Sequence, residues 1–465
     1  MTAPTNELSR VITLPGAVGV GLGSIIGTGA FVTLGLGAGL AGPWLLVAIA
    51  IAGALAMCNG LSSAQLAAVH PVSGGTYAYG SRFLHPLAGF TAGWVFLLAK
   101  SASCATAALG FGGLIAWLTG KPGSWPVMTL AALGSLLVVT SAALAGITRS
   151  VRFNYGLLAI TVLSLLTMVI AAAPTAIKGW PGDWSAIGDR PISAPAVLEA
   201  AALAFVAFAG FARIATMGEE VREPRTTIPR AVVITLSCAI ALYALVAFTG
   251  IGVLGAAEFG FRSSEDAAPL MAVAQAVRAP TLAWMLAAGS AAALLAVQLN
   301  LVMGLSRVAL AAGRERDLPT PLSRIDRHGV PAIATIAVAL GIAIVVLVGS
   351  VPMAWSLSAA AVLVYYALTN LSAMRVAEGR FIARSVHATG FAGCLALAVF
   401  IEPLALGAMV ALTVLGFGVR WACRSFQTQP PPVVSTGSSS GSTAPSASVG
   451  SSPGPSASRA SPASP

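Results

Sequence analysis

Long apolar runs separated by short polar breaks fill the chain from Ile12 to Arg420. A membrane-crossing helix needs about 20 mostly apolar residues. Twelve runs qualify: 12–40, 43–69, 86–117, 125–147, 153–173, 196–219, 231–254, 280–312, 331–350, 353–374, 387–402 and 403–422. The pattern predicts an all-α integral membrane protein with about 12 transmembrane helices. Two five-span halves, 12–173 and 196–374, are followed by two extra C-terminal helices over 387–422, which only Glu402-Pro403 separates.

Two runs are interrupted. The first span carries Gly23-Ser24-Ile25-Ile26-Gly27-Thr28-Gly29, and the sixth carries Phe205-Val206-Ala207-Phe208-Ala209-Gly210-Phe211. A break cannot face lipid, because freed backbone groups find no water there. Paired breaks at matching places in two halves point to a transport site near the bilayer midplane. The breaks sit five spans apart, so the first span enters from one side and the sixth from the other. The halves are therefore expected to be inverted copies, 5+5, the arrangement that supplies alternating access.

The breaks suggest complementary chemistry. Past the first, the outer half-helix begins with free N–H groups and the positive end of its dipole, which suit an anion. Gly27, Thr28 and Gly29 are small there, and Thr28 adds a hydroxyl. At the second, Phe208-Ala209-Gly210 is expected to present carbonyls to an ammonium group. Together they suit a zwitterion. The competing reading of Gly23-x3-Gly27 is close helix packing.

These segments resemble those of the amino acid–polyamine–organocation permeases, which share a leucine-transporter-like fold. The resemblance spans roughly residues 10–422. It rests on Gly23 to Gly29, on Pro71-x-Ser73-Gly74-Gly75-x-Tyr77, on Phe208-Ala209-Gly210-Phe211 continuing through Ile214-Ala215-Thr216 to Glu219-Glu220-Val221, and on Ser306-Arg307 with Asp317-Leu318-Pro319. It implies that Ser24, Ile25, Gly27, Thr28 and Gly29 hold a substrate carboxylate. It also implies that Phe205, Phe208, Ala209 and Gly210 hold the amine and gate the site.

Two positions depart from the family pattern. Members often carry Lys seven residues after an Asn in the fifth span, where it replaces a sodium ion and carries the coupling proton; here Asn154 is followed by Thr161. Members often carry Asp after the Gly-Phe pair; here Ala212 stands there, and Arg213 follows. Intramembrane ionisable residues are functional candidates. Lys100 and Arg213 lie within spans, and Glu199, Glu219, Glu220 and Glu402 lie near span ends. Lys100, Thr161 and Arg213 are thus the coupling or charge candidates. Two span cations and no deep carboxylate favour a neutral or acidic substrate over a cationic one. Gln298, Asn300, Tyr365, Tyr366 and Asn370 read first as interhelical hydrogen-bonding residues.

Composition agrees. Of 465 residues, 57% are hydrophobic and 9% charged, which excludes an ordinary soluble domain. The net charge of +10 invokes no nucleic acid: with the N-terminus inside, 18 Lys/Arg fall on the cytoplasmic side. Five, Lys121, Lys178, Arg190, Arg262 and Arg278, fall outside, which is the positive-inside bias. The N-terminal 1–11 and the Ser/Pro-rich tail 425–465, which lacks the apolar content to fold, are accordingly expected in the cytoplasm of a multi-pass plasma (inner) membrane protein. Five scattered cysteines and four histidines form neither a disulfide framework nor a metal spacing, and no cofactor is implied.

The sequence therefore reads as a secondary carrier for amino acids, with H+ or Na+ as possible coupling ion and the bilayer as its surroundings. An amino-acid/amine exchanger or a polyamine/organocation permease is the alternative within the fold. An enzyme lacks an acid/base cluster, a channel lacks rings of lining groups, and a receptor lacks a signalling domain.

Overall fold

Helices account for nearly all of the regular structure. The computed structural model describes residues 12–70, 75–146, 151–188, 190–215, 221–326, 329–377 and 379–426. The expected motif residues 71–74 and 216–220, and the tail from 427, lie outside them.

In chain order the helices are α1 (Leu14–Ile25), α2 (Leu34–Ala41), α3 (Leu45–Val69), α4 (Gly75–Phe83), α5 (Pro86–Leu118), α6 (Trp125–Leu144), α7 (Val151–Gly179), α8 (Ala194–Phe208), α9 (Ala212–Ala215), α10 (Pro224–Leu254), α11 (Ala256–Phe261), α12 (Pro269–Ala276), α13 (Pro280–Arg314), α14 (Ala332–Val348), α15 (Val351–Met374), α16 (Arg384–Ala398) and α17 (Pro403–Phe426). A small antiparallel hairpin, β1 (Ala186–Ile187) with β2 (Arg190–Pro191), decorates the loop before α8.

Among the described residues, nine helical stretches are long and apolar enough to cross a membrane, which makes this a multi-pass helical membrane protein. One, Leu14–Val69, is 56 residues long. At about 1.5 Å per residue it exceeds two bilayer cores of about 30 Å, matching the first two predicted runs. Two predicted runs fall short: α14 has 17 residues and α16 has 15.

Helix starts follow local chemistry. Proline sits in the first turn of α5, α6, α8, α10, α13 and α15, where its missing N–H costs nothing. Side chains of His85, Ser193 and Ser350 accept the capping N–H bonds of α5, α8 and α15. Pro331 caps α14, and Pro229 lies inside the second turn of α10, which starts at Pro224.

The packing depends on small residues, as lipid offers no hydrophobic drive between helices. A Cβ at Gly112 of α5 would collide with the Met128 carbonyl of α6. Beyond α13 the buried Asp317 ties several elements together. Its Oδ1 accepts from Arg420 Nε and Arg424 Nη2 of α17, each at 2.8 Å, and its Oδ2 accepts from the Tyr77 hydroxyl of α4 at 2.9 Å. Burial, then the Asp317 charge, holds the Tyr77 phenol well above its ordinary pKa, so it remains a donor. The Arg420 guanidinium also lies 4.7 Å over the Phe90 ring of α5.

Candidate functional site

The first break is a true interruption. After α1 the backbone extends at Ile26 (φ −76°, ψ 105°) and resumes helical angles at Thr28 (φ −50°, ψ −39°). A five-residue π-helical segment, Gly29–Thr33, then leads into α2. The first hydrogen bond into the outer piece is Phe31 N to Gly27 O at 3.2 Å. The N–H groups of Thr28, Gly29 and Ala30 precede it and so belong to the unsatisfied start of that piece. The Thr28 hydroxyl is buried and has no hydrogen-bond partner. The expected anion-binding features therefore occur together at one point.

The glycines there have different neighbours. A Cβ on Gly23 would meet nothing within 4 Å, so this residue is not a close-packing contact. A Cβ on Gly27 would lie 2.5 Å from Val297 Cγ2 of α13, and one on Gly29 would lie 2.5 Å from Ala207 Cβ of α8. The helix-packing reading of Gly23-x3-Gly27 thus fails at its first glycine.

The second break is a tightening rather than an open unwinding. Residues Ala209–Phe211 form a 3-10 turn between α8 and α9, and i→i+3 bonding leaves fewer free groups than an extended segment would. Of the expected carbonyls, Ala209 O accepts from the Tyr366 hydroxyl of α15 at 3.0 Å, and just before them Ala207 O lies 3.2 Å from the Tyr243 hydroxyl of α10. Tyr243 Oη also lies 2.7 Å from Ile25 O. One buried hydroxyl thus spans a carbonyl from each break.

The two broken segments touch along their length and run antiparallel. Gly21 faces Ile214, Ser24 faces Gly210, Gly29 faces Ala207 and Gly37 faces Ala200. Each advance along the first segment meets an earlier residue of the second.

Aromatic rings enclose the crossing. Phe205, Phe208 and Phe211 are all fully buried. Phe205 and Phe211 pack on the Tyr366 ring with centroids 5.5 and 5.0 Å away, and Phe208 packs on Tyr243 at 5.1 Å. Trp355 Nε1 donates to Leu203 O at 3.0 Å, fixing α8 above the break.

The remaining candidates divide. Ser24 lies at the crossing, but its hydroxyl donates to Val20 O of its own helix at 2.8 Å. Thr161 is buried, yet its hydroxyl donates to Leu157 O at 2.8 Å, so its polar atom is committed within α7. Arg213 is exposed on α9. Lys100 is buried on α5 and makes no ion pair among the described residues. It lies one turn after Phe96, which packs on Tyr365, and one turn before Ser103 and Cys104, which meet Ser358 Oγ and Gln298 O. Gln298 and Asn370 make interhelical bonds, to Ser135 and to Ser62 and Asn59, as expected. Asn300 is exposed.

Sequence reasoning did not single out Tyr243, Trp355 or Val297. A lone tyrosine amid the apolar residues of α10 was the available signal for the first.

The family model for amino acid permeases matches residues 16–421. An uncharacterized transporter of Mycobacterium tuberculosis is 39% identical over 425 residues, covering 89% of this chain and 92% of the relative. A branched-chain amino acid permease of Bacillus subtilis is 29% identical over 333 residues, covering 68% and 70%. A vacuolar cationic amino acid transporter of Arabidopsis thaliana is 26% identical over 352 residues, covering 72% of this chain and 54% of the relative. A family match over nearly the whole chain, a multi-pass helical architecture and two broken helices in contact agree, and the chain belongs to the amino acid permease family of the amino acid–polyamine–organocation superfamily.

Proposed function

We propose that this protein is a secondary active transporter that moves neutral amino acids across the plasma membrane by alternating access, with the substrate held where the two broken segments cross. The carboxylate sits at the first break, against the N–H groups of Thr28 and Gly29 and the Thr28 hydroxyl. The amine sits at the second, competing with Tyr243 and Tyr366 for the carbonyls of Ala207 and Ala209. Phe205 and Phe208 close over the side chain. The observation that carries this reading is the antiparallel contact of two helix interruptions, with an unpartnered buried hydroxyl at one and tyrosine-capped carbonyls at the other.

The architecture in this reading is twelve spans: inverted halves at 12–173 and 196–374, and two more helices within 387–422. The ends of the chain, 1–11 and 425–465, are cytoplasmic. A periplasm-active reporter fused after Gln427 should be silent, and activity there would overturn the topology.

A neutral substrate is favoured by the surroundings. The site is lined by Val297, Ala207 and aromatic rings. Among the described residues the buried carboxylates are Asp266 and Asp317, and both are paired with arginines. A cationic side chain would lack a counter-charge, and a buried unpaired charge costs several kcal/mol. The Bacillus relative's name, a branched-chain amino acid permease, is in keeping with such a lining. Buried, unpaired Lys100 supports a second reading, in which it serves acidic substrates as a counter-charge or carries the coupling proton. Initial-rate uptake of leucine, glutamate and arginine by reconstituted protein separates these. The proposal expects saturable leucine uptake. Preferred glutamate uptake that falls with Lys100→Gln would replace it with the second reading. High-affinity arginine uptake would overturn both.

A further inference from the structure

One face of α13 changes its surroundings at the first break. Leu286, Gly289 and Ala293, then Val297, Asn300 and Gly304, follow one another at steps of three and four and so share that face. The first three are buried. Val297 is partly exposed, Asn300 is exposed, and a Cβ on Gly304 would meet nothing within 4 Å. The face points into the protein, because a Cβ at Gly289 would meet Phe31 and one at Gly27 would meet Val297.

The same contacts give direction. From Gly289 to Val297, α13 passes from Phe31 back to Gly27, so it runs antiparallel to the first broken segment. Asn300, one turn past Val297, therefore lies on the Leu14 side of the break. Other elements leave room on that side. A Cβ on Gly23 would meet nothing within 4 Å, Ser24 and Gly210 are partly exposed, and Arg213 is exposed three residues past Gly210.

The opposite side is shut. Residues 25–38 are buried without exception. A Cβ at Gly35 would strike Phe259 O and Ser263 Oγ, one at Gly39 would lie 3.2 Å from Gly260 Cα, and one at Gly113 of α5 would strike Asp266 O. The crossing thus opens one way only.

Asn300 decides what fills the open side. Its side chain makes no hydrogen bond among the described residues. The end of α13 at Arg314 is about 21 Å further on, more than half of a hydrocarbon core about 30 Å thick. An amide facing lipid at that depth would leave its donors and acceptor unsatisfied, so the space holds water.

We propose that Asn300 lines a water-filled passage from the crossing toward the Leu14 and Arg314 ends of the spans, cytoplasmic in the topology above, and that its amide hydrogen-bonds the charged ends of the substrate in turn. An amide donates to a carboxylate and accepts from an ammonium group while carrying no charge. A zwitterion therefore passes without being trapped by either end. The contact with substrate rests on the transport reading above; the water-filled passage does not.

The test places one added cysteine at a time in the full chain in lipid nanodiscs. The probe is a charged methanethiosulfonate, which does not enter lipid, and it reacts with the thiolate that water contact permits. Site-resolved mass spectrometry reads each position apart from the five native cysteines. Asn300→Cys should react at least about tenfold faster than Ala293→Cys, on the same face but beyond the break. Gly304→Cys, one turn further, should react like Asn300→Cys and decides the matter if that variant fails to insert. Equal rates for Ala293→Cys and Asn300→Cys, or no reaction of Asn300→Cys and Gly304→Cys, would overturn the passage. For the contact, Asn300→Leu should lower maximal leucine uptake by about tenfold with affinity held within about twofold, and Asn300→Gln should keep uptake within about threefold of wild type. Undiminished uptake by Asn300→Leu, or an equal loss in Asn300→Gln, would overturn the contact. Absent leucine uptake by the wild type refutes the transport reading and leaves the thiol rates to decide the passage.

Discussion

Gly210 rests directly on the backbone of Ser24: a Cβ at Gly210 would overlap the Ser24 carbonyl and approach Ile25 N to 2.8 Å. The obstacle is backbone, which cannot swing aside as a side chain does. Gly210→Ala should therefore push the two breaks apart. Overpacking costs about 1–3 kcal/mol, and if that falls on the substrate-holding geometry it corresponds to roughly 5- to 150-fold weaker binding. Equilibrium binding to membrane-inserted protein checks it, and wild-type affinity would show that the breaks need not touch.

Tyr243→Phe keeps the ring against Phe208 but removes the hydroxyl shared by Ile25 O and Ala207 O. An unsatisfied buried polar group costs about 1–3 kcal/mol. The variant should insert normally, lose thermal stability in detergent and transport more slowly. A larger loss for Tyr366→Phe would place the dominant contact at Ala209 instead.

Asp317→Asn should destabilise more strongly. Arg420 is 4% exposed, and removing its partner charge leaves a buried cation. Breaking a buried pair from one side costs about 3–5 kcal/mol. Arg424 is half-exposed, so Arg424→Gln should cost about 1 kcal/mol or less. Equal losses for the two variants, read by thermal unfolding, would contradict a buried node centred on Arg420.

Much of this was legible in the sequence, and the rest for physical reasons was not. Span periodicity and paired interruptions are local signals, and Ile26–Gly27 and Ala209–Phe211 depart from regular α-helix within the expected segments. What closes the second break is not local. Tyr243 comes from 218 positions beyond Ile25, and Tyr366 from 157 beyond Ala209. Nothing near Phe208-Ala209-Gly210 announces that its carbonyls are capped, so an open segment was expected where a 3-10 turn stands. Asp317 likewise meets Arg420 from 103 positions on, and Ser62 meets His387 from 325 positions on.

The central claim is that an amino acid binds where the two breaks cross, and Gly27 tests it most directly. A leucine side chain at Gly27 would fill the space against Val297 that substrate and backbone share. The measurement is a thermal-shift screen of purified wild-type and Gly27→Leu protein against the twenty amino acids, since a ligand of the folded form raises apparent stability. At about 100 times its dissociation constant such a ligand adds about 2.7 kcal/mol. The account predicts that one or a few neutral amino acids stabilise the wild type and none stabilises Gly27→Leu, although the variant unfolds cooperatively. An equal shift in the variant, or no shift of the wild type by any of the twenty, would contradict it.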